Sequence, residues 1–218
     1  MKKIVLVIAS IVFLMAAMAN ADTLKVGGNY NSITLDGYMY EGKPITATEG
    51  GGSILPSYLN GVQLPYLYCI DLYTEIYVPD TYSTLVTNNG TIDGGTAVHN
   101  AGQIAWLLDN YAVGAETNTN AQIALQAAIW NVEFGVTLDP NSNDPGAVSD
   151  YDTYLAALGS NTARVGDFEW LTPEDSNGNL YQAQVTDPPS VPEPSTMLLL
   201  GSGLAGLAAF RKKFKVQL

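Results

Sequence analysis

Residues 118–135 run Asn118-Thr119-Asn120-Ala121-Gln122-Ile123-Ala124-Leu125-Gln126-Ala127-Ala128-Ile129-Trp130-Asn131-Val132-Glu133-Phe134-Gly135. Asn118 or Thr119 can cap a helix here, because a short side-chain oxygen accepts from the unpaired N–H groups of a first turn. Gly135 supplies the stop. The stretch therefore predicts a helix ending near Phe134. Gln122, Gln126 and Trp130, spaced by four, share one of its faces.

Around this helix the sequence changes period. Upstream, Ala101, Ile104, Ala105 and Leu108 fall at i, i+3, i+4 and i+7 and predict an amphipathic helix over about residues 98–111. Downstream, a shorter helix is expected over residues 150–158, with Gly159 as its stop. Before this block, residues 32–35, 64–70, 75–78 and 82–86 are rich in Tyr, Thr and Val, as strands prefer. The run Gly50-Gly51-Gly52 reads as a loop between strands. After the block, residues 164–185 return to a strand pattern, clearest at 168–171 and 180–185. Strands, helices and strands again predict an α+β fold: an antiparallel β-sheet or barrel-like domain with an inserted helical block. No internal repeat is present.

The two ends carry export signals. Lys2 and Lys3 precede an uncharged apolar run over residues 4–18, followed by Ala19-Asn20-Ala21. That is a signal peptide over residues 1–21, with the mature chain starting at Asp22. At the other end Val191-Pro192-Glu193-Pro194-Ser195-Thr196 leads into an apolar run over residues 197–210. Gly201, Gly203 and Gly206 interrupt the run, and Arg211, Lys212, Lys213 and Lys215 close it. Its length barely reaches the roughly 20 residues a helix needs to cross the hydrocarbon, and the basic end should stay cytoplasmic. The order of these features resembles the PEP-CTERM sorting signal of Gram-negative bacteria. The resemblance implies cleavage near Pro192, Glu193 and Pro194 by an exosortase-type membrane protease. Transient membrane association at the inner membrane and passage to the cell surface or medium would follow. On this reading residues 22–185 are the ectodomain, residues 186–194 a Pro-rich linker, and residues 195–218 a short transmembrane sorting helix with a basic end.

Between residues 22 and 190 there are three basic residues, Lys25, Lys43 and Arg164, against twenty acidic ones, a net charge of −17. The whole-chain value of −12 understates this. So acidic a surface argues against nucleic acid and anionic lipid as partners, since both are bound through Lys and Arg. The acidic loop Asp139-Pro140-Asn141-Ser142-Asn143-Asp144 places oxygen ligands close together, but it lacks the glycine and terminal glutamate of an EF-hand and reads as a solvated turn. No metal cluster, phosphate-binding loop or catalytic triad is legible, and no cofactor is expected.

The chain has one cysteine, Cys69. In an oxidising compartment a lone thiol is buried, paired between molecules, or chemically employed. It lies in Tyr68-Cys69-Ile70-Asp71, read as strand, and Gln126 follows 57 residues later inside Gln126-Ala127-Ala128-Ile129-Trp130. The two segments, with the helix between them, resemble the Cys-Gln thioester domain of bacterial surface adhesins over about residues 60–160. The resemblance implies that Cys69 Sγ is joined to Gln126 Cδ with loss of ammonia. It places Tyr68, Asp71, Gln122 and Trp130 around the bond: Asp71, on the Cys69 strand face by the period of two, to orient or deprotonate, and Tyr68 and Trp130 to exclude water. The implied function is an exported, adhesin-like surface protein that captures a protein amine or a polysaccharide hydroxyl once per molecule, and so is not an enzyme. Two other readings stay open. One is a non-covalent structural protein of a biofilm matrix with an inert, buried Cys69. The other is a cysteine hydrolase using His99, the one histidine, as base.

Overall fold

The structure, a computed structural model, describes residues 21–189. Residues 1–20 of the expected signal peptide and the sorting tail from residue 190, with Val191, Pro192, Glu193, Pro194 and the basic end, lie outside the described residues.

Among the described residues nine strands precede the helices: β1 (Asp22–Val26), β2 (Asn29–Tyr40), β3 (Lys43–Leu55), β4 (Tyr58–Leu59), β5 (Val62–Gln63), β6 (Tyr68–Cys69), β7 (Asp80–Thr87), β8 (Thr91–Ile92) and β9 (Thr96–Ala97). Helices α1 (Ala101–Ala115) and α2 (Thr119–Phe134) follow, then β10 (Thr137–Leu138), α3 (Pro145–Leu158), β11 (Glu169–Glu174) and β12 (Gln184–Thr186). One curled antiparallel sheet has the order β5-β4-β1-β7-β11-β12-β6, a second β10-β2-β3, and β8 pairs with β9. The fold is α+β, with the helical block inserted between strands, as the change of period predicts.

Helix α2 begins and ends where the sequence places it. Asn118 Oδ1 accepts from the N–H groups of Asn120 (3.0 Å) and Ala121 (3.3 Å), and Gly135, at φ 76°, donates its N–H to Asn131. Its residues Ala121 and Ile123 to Trp130 are buried, so the helix is enclosed on all sides and packs on β2, β3, α1 and α3. Trp130 and Trp170 are among the largest fully buried side chains, and burying a large apolar side chain contributes roughly 1.5–3 kcal/mol.

Several elements differ from expectation for local reasons. Gly50, Gly51 and Gly52 form no loop; they lie inside β3, where Gly51 pairs with Asn31 and Gly50 with Ser32. Gly51 and Gly52 let α2 lie close on the strand, while Gly50 faces Tyr30. Residues 64–70 are not one strand, because Pro65 has no N–H for a ladder; pairing resumes only at Tyr68 and Cys69. Residues 75–78 form an irregular connection ending at Pro79. Helix α1 starts at Ala101 because Asn100 sits at φ 54°, outside helical geometry, and it runs on to Ala115. Helix α3 starts five residues early, at Pro145, which suits a first helical position, behind Asp144, whose side chain accepts from the Gly146 N–H. The acidic loop is thus a helix cap plus a turn at Asp139, whose Oδ1 accepts from Asn141 N–H at 3.0 Å. Among the described residues no group of three or more His, Cys, Asp or Glu side chains is placed to hold a metal ion, and no helix is long and apolar enough to cross a membrane.

Candidate functional site

Cys69 ends β6, the last strand of the larger sheet. Opposite it in the ladder stands Gln184 of β12. An edge strand leaves one row of backbone groups without a strand partner. Gln126 fills that place at Cys69: its Oε1 accepts from the Cys69 N–H at 2.9 Å, and its Nε2 donates to the Cys69 C=O at 2.7 Å. The carboxamide thus acts as one peptide unit of a missing neighbouring strand. Cys69 and Gln126 are both fully buried. The adjacent N–H, that of Ile70, turns the other way and donates to Ala183 C=O at 2.8 Å. The Cys69–Gln184 pair is therefore of the non-hydrogen-bonded kind, in which facing side chains come closer.

The thiol is pushed up to about 12 by burial; the Gln184 carboxamide beside it works the other way, and the Asp71 charge adds to the rise. Cys69 is buried and takes part in no disulfide. Gln184 is fully buried, with its Nε2 donating to Gln182 C=O (3.1 Å) and its Oε1 without a partner.

The glycines of β3 fix the depth of α2. A Cβ on Gly51 would lie 2.8 Å from both Gln126 Cγ and Trp130 Cη2, inside van der Waals contact. One residue on, Gly52 at φ 84° abuts Asn31 and Gln122. Ser53 then donates to Glu116 Oε2 at 3.3 Å. Successive residues of β3 therefore meet Gln126, Gln122 and the end of α1 in turn.

The sequence-predicted residues divide on this frame. Tyr68 and Trp130 are fully buried, and both polar tips, Tyr68 Oη and Trp130 Nε1, are without partners. Burial, then the Glu116 charge, raise the Tyr68 hydroxyl well above its ordinary value. Gln122 lies a turn before Gln126 and braces the entry to α2: its Oε1 accepts from Asn31 (3.0 Å) and its Nε2 donates to Glu116 C=O (3.0 Å). Asp71 lies beyond the strand, where the period of two no longer sets its face. The strand ends at Cys69, and Asp71 Oδ1 accepts from Tyr73 N–H at 2.9 Å in a turn. His99 is exposed, with its Nδ1 against Asn100 Nδ2 and its N–H donated to Glu133; no hydrogen bond joins it to Cys69.

Two residues escaped the sequence reading. Gln184 carries no local signal, because its place opposite Cys69 depends on a pairing 115 residues apart. Glu116 did carry one: an acid just past a helix C-terminus faces the unfavourable end of the helix dipole. It is half-buried with Oε1 unpartnered, and burial pushes its carboxyl up to about 7 against the Ser53 hydrogen bond.

Residues 66–162 match the family model described as the thioester domain, and residues 190–213 match that of the PEP-CTERM protein-sorting motif. Among solved structures, the N-terminal thioester domain of a protein F2-like fibronectin-binding protein from Streptococcus pneumoniae is similar at 14% identity, with a TM-score of 0.40. That alignment covers 78% of this chain and 94% of the other. No curated protein matches the chain. The chain thus carries a thioester-domain segment and a sorting motif that marks it for export to the surface of a Gram-negative cell or beyond.

Proposed function

We propose that this adhesin-like surface protein carries an internal thioester between Cys69 Sγ and Gln126 Cδ, and that a nucleophile on a partner opens the bond and becomes covalently attached. The observation that carries the reading is the buried Gln126 carboxamide clamped on both backbone groups of Cys69. A glutamine on an ordinary buried face would find scattered partners; this one is aligned on the cysteine itself.

The chemistry follows from that clamp. Sulfur attacks Cδ, the C=O electrons move onto Oε1, and the Cys69 N–H already donates to that oxygen as negative charge develops on it. Collapse expels Nε2, which takes up the thiol proton and leaves as ammonia. A thiol pushed up to about 12 is rarely ionised at neutral pH, so the proton passes to nitrogen within the reaction. Burial then protects the product from water. In capture, an amine attacks the same carbon, sulfur leaves and regains a proton, and an amide joins Gln126 to the partner; a hydroxyl would leave an ester. The sorting motif supports processing by an exosortase-type membrane protease before the chain reaches the surface.

The test is intact mass. The purified chain should be lighter by one ammonia than the sequence of the segment it retains and should gain one methylamine on treatment, while Cys69→Ala and Gln126→Ala do neither. An unshifted mass that methylamine leaves unchanged would sink the proposal. It would favour the rival reading, a matrix structural protein, which draws its support from the complete burial of the thiol.

A further inference from the structure

An open cleft of about 420 Å³ lies between β3 and the connection over residues 72–78. Its chemistry differs from that of the Cys69–Gln126 pair. Tyr30, Tyr38, Tyr73 and Tyr77 line it, and three of them are unusually exposed for aromatic residues: Tyr30 at 54%, Tyr73 at 45% and Tyr77 at 63%. Tyr38 and Tyr73 pack at a centroid distance of 5.1 Å, and Tyr73 in turn meets Phe134 edge-on, so this wall is continuously aromatic. Ile54 and Leu72, both buried, form an apolar floor. Glu49 and Glu75 face the same space, and Lys25, Lys43 and Arg164 do not line it.

We infer that this cleft is a binding site for a primary ammonium group, the lysine side chain of a partner protein. A lysine has an apolar four-carbon stem ending in a compact positive charge. The floor and tyrosine faces accept the stem and attract the cation through the ring quadrupole, and the two carboxylates neutralise it. A sugar hydroxyl would stack on the tyrosines but leave the repulsion between the two carboxylates in place. That repulsion is present in the free protein: burial first, and the Glu75 charge second, hold the Glu49 carboxyl above its ordinary value. Gly50 lines the cleft, whereas the next residue, Gly51, faces Gln126 from the other side of β3, so the cleft is separate from the Cys69–Gln126 pair. The site stands whether or not the thioester forms, because recognition here is non-covalent.

The test uses full-length Cys69→Ala protein in detergent, which removes covalent capture. The probes are a Gly/Ser peptide with one central lysine and the same peptide with that lysine Nε-acetylated, each titrated while the tyrosine ring resonances are followed by NMR. The lysine peptide should shift those resonances and the acetylated one should not. Glu49→Gln with Glu75→Gln should weaken binding about tenfold, and Tyr77→Ala, at an exposed position, about threefold. Asp109→Asn with Asp152→Asn, which removes the same charge from exposed positions elsewhere, should leave binding within twofold. Equal binding of the two peptides, no binding by the folded protein, or equal weakening by the two double variants would overturn the inference.

Discussion

Gly51 and Gln126 are in direct contact across the β3–α2 interface, closely enough that a single methyl group at position 51 would lie 2.8 Å from Gln126 Cγ. The backbone of β3 thereby holds the Gln126 carboxamide against Cys69, with Trp130 meeting the same point from the next helical turn. This arrangement requires glycine for space and not for conformation, since Gly51 is not at positive φ.

Gly51→Ala should therefore push α2 off the strand. Overpacking of this kind costs about 1–3 kcal/mol, which a denaturant melt reads directly. On the proposed reading it should also reduce the fraction of chain that has lost ammonia, because attack on Cδ depends on sub-ångström placement. Retained stability together with a full thioester signal would mean that the contact is not a constraint.

The clamp on Cys69 sets an order among variants. Gln126→Leu leaves a buried N–H and a buried C=O of Cys69 without partners, at about 1–3 kcal/mol each. Cys69→Ala keeps both hydrogen bonds and loses only the sulfur. Both variants remove any crosslink equally, so Gln126→Leu should melt at clearly lower denaturant than Cys69→Ala. Coincident midpoints would show that the carboxamide is not bonded to the Cys69 backbone in solution.

Glu116 gives a pH dependence whose sign can be worked out. Burial raises its carboxyl from the ordinary 4.5 to about 7, so between those values the folded chain holds a proton that the unfolded chain has released. Its contribution to stability is fully present below about 4.5 and is lost as pH rises through 7. Glu49, Glu133, Glu169, Asp93 and Asp187 are shifted the same way, all chiefly by burial. Thermal stability should thus rise as pH falls from 8 towards 5. Asp139 and Asp175, held below the ordinary value by hydrogen bonds led by those from Ser142 and Asn179, work against this at lower pH. Glu116→Gln mimics the protonated acid, so it should be more stable than wild type at pH 8, with the difference shrinking as pH falls and vanishing below about 4.5. A variant less stable at pH 8 would place the Glu116 charge in a favourable environment instead.

What the sequence could show depended on how local each feature is. Helix α2 was legible to its last residue because its cap, its period and its stop all lie within residues 118–135. The glycines at 50–52 were misread because glycine marks a loop in sequence, and only the approach of α2 reveals that it is needed inside a strand. The period of two cannot place Asp71, because the strand ends two residues before it. Cys69 and Gln126 were paired by resemblance; their contact arises from long-range packing that no local pattern encodes. Gln184 was out of reach for the same reason.

Thiol accessibility separates the two readings of Cys69 under one condition only. In the native chain the sulfur is fully buried and its thiol is pushed up to about 12, so iodoacetamide at pH 8 should react very slowly whether the thiol is free or acylated. Unfolding in guanidinium at low pH removes burial while limiting thioester hydrolysis, and brief alkylation after a jump to pH 8 then reads the sulfur directly. A free thiol with an ordinary pKa near 8.5 alkylates completely, whereas a thioester remains unlabelled until methylamine or hydroxide opens it. Wild type should remain mostly unlabelled in the first minutes, and prior methylamine treatment should restore full labelling. Gln126→Ala should label fully without methylamine, because its sulfur has no acyl partner. Complete immediate labelling of wild type would leave Cys69 as an ordinary buried core thiol and return the surface-protein role to its non-covalent form.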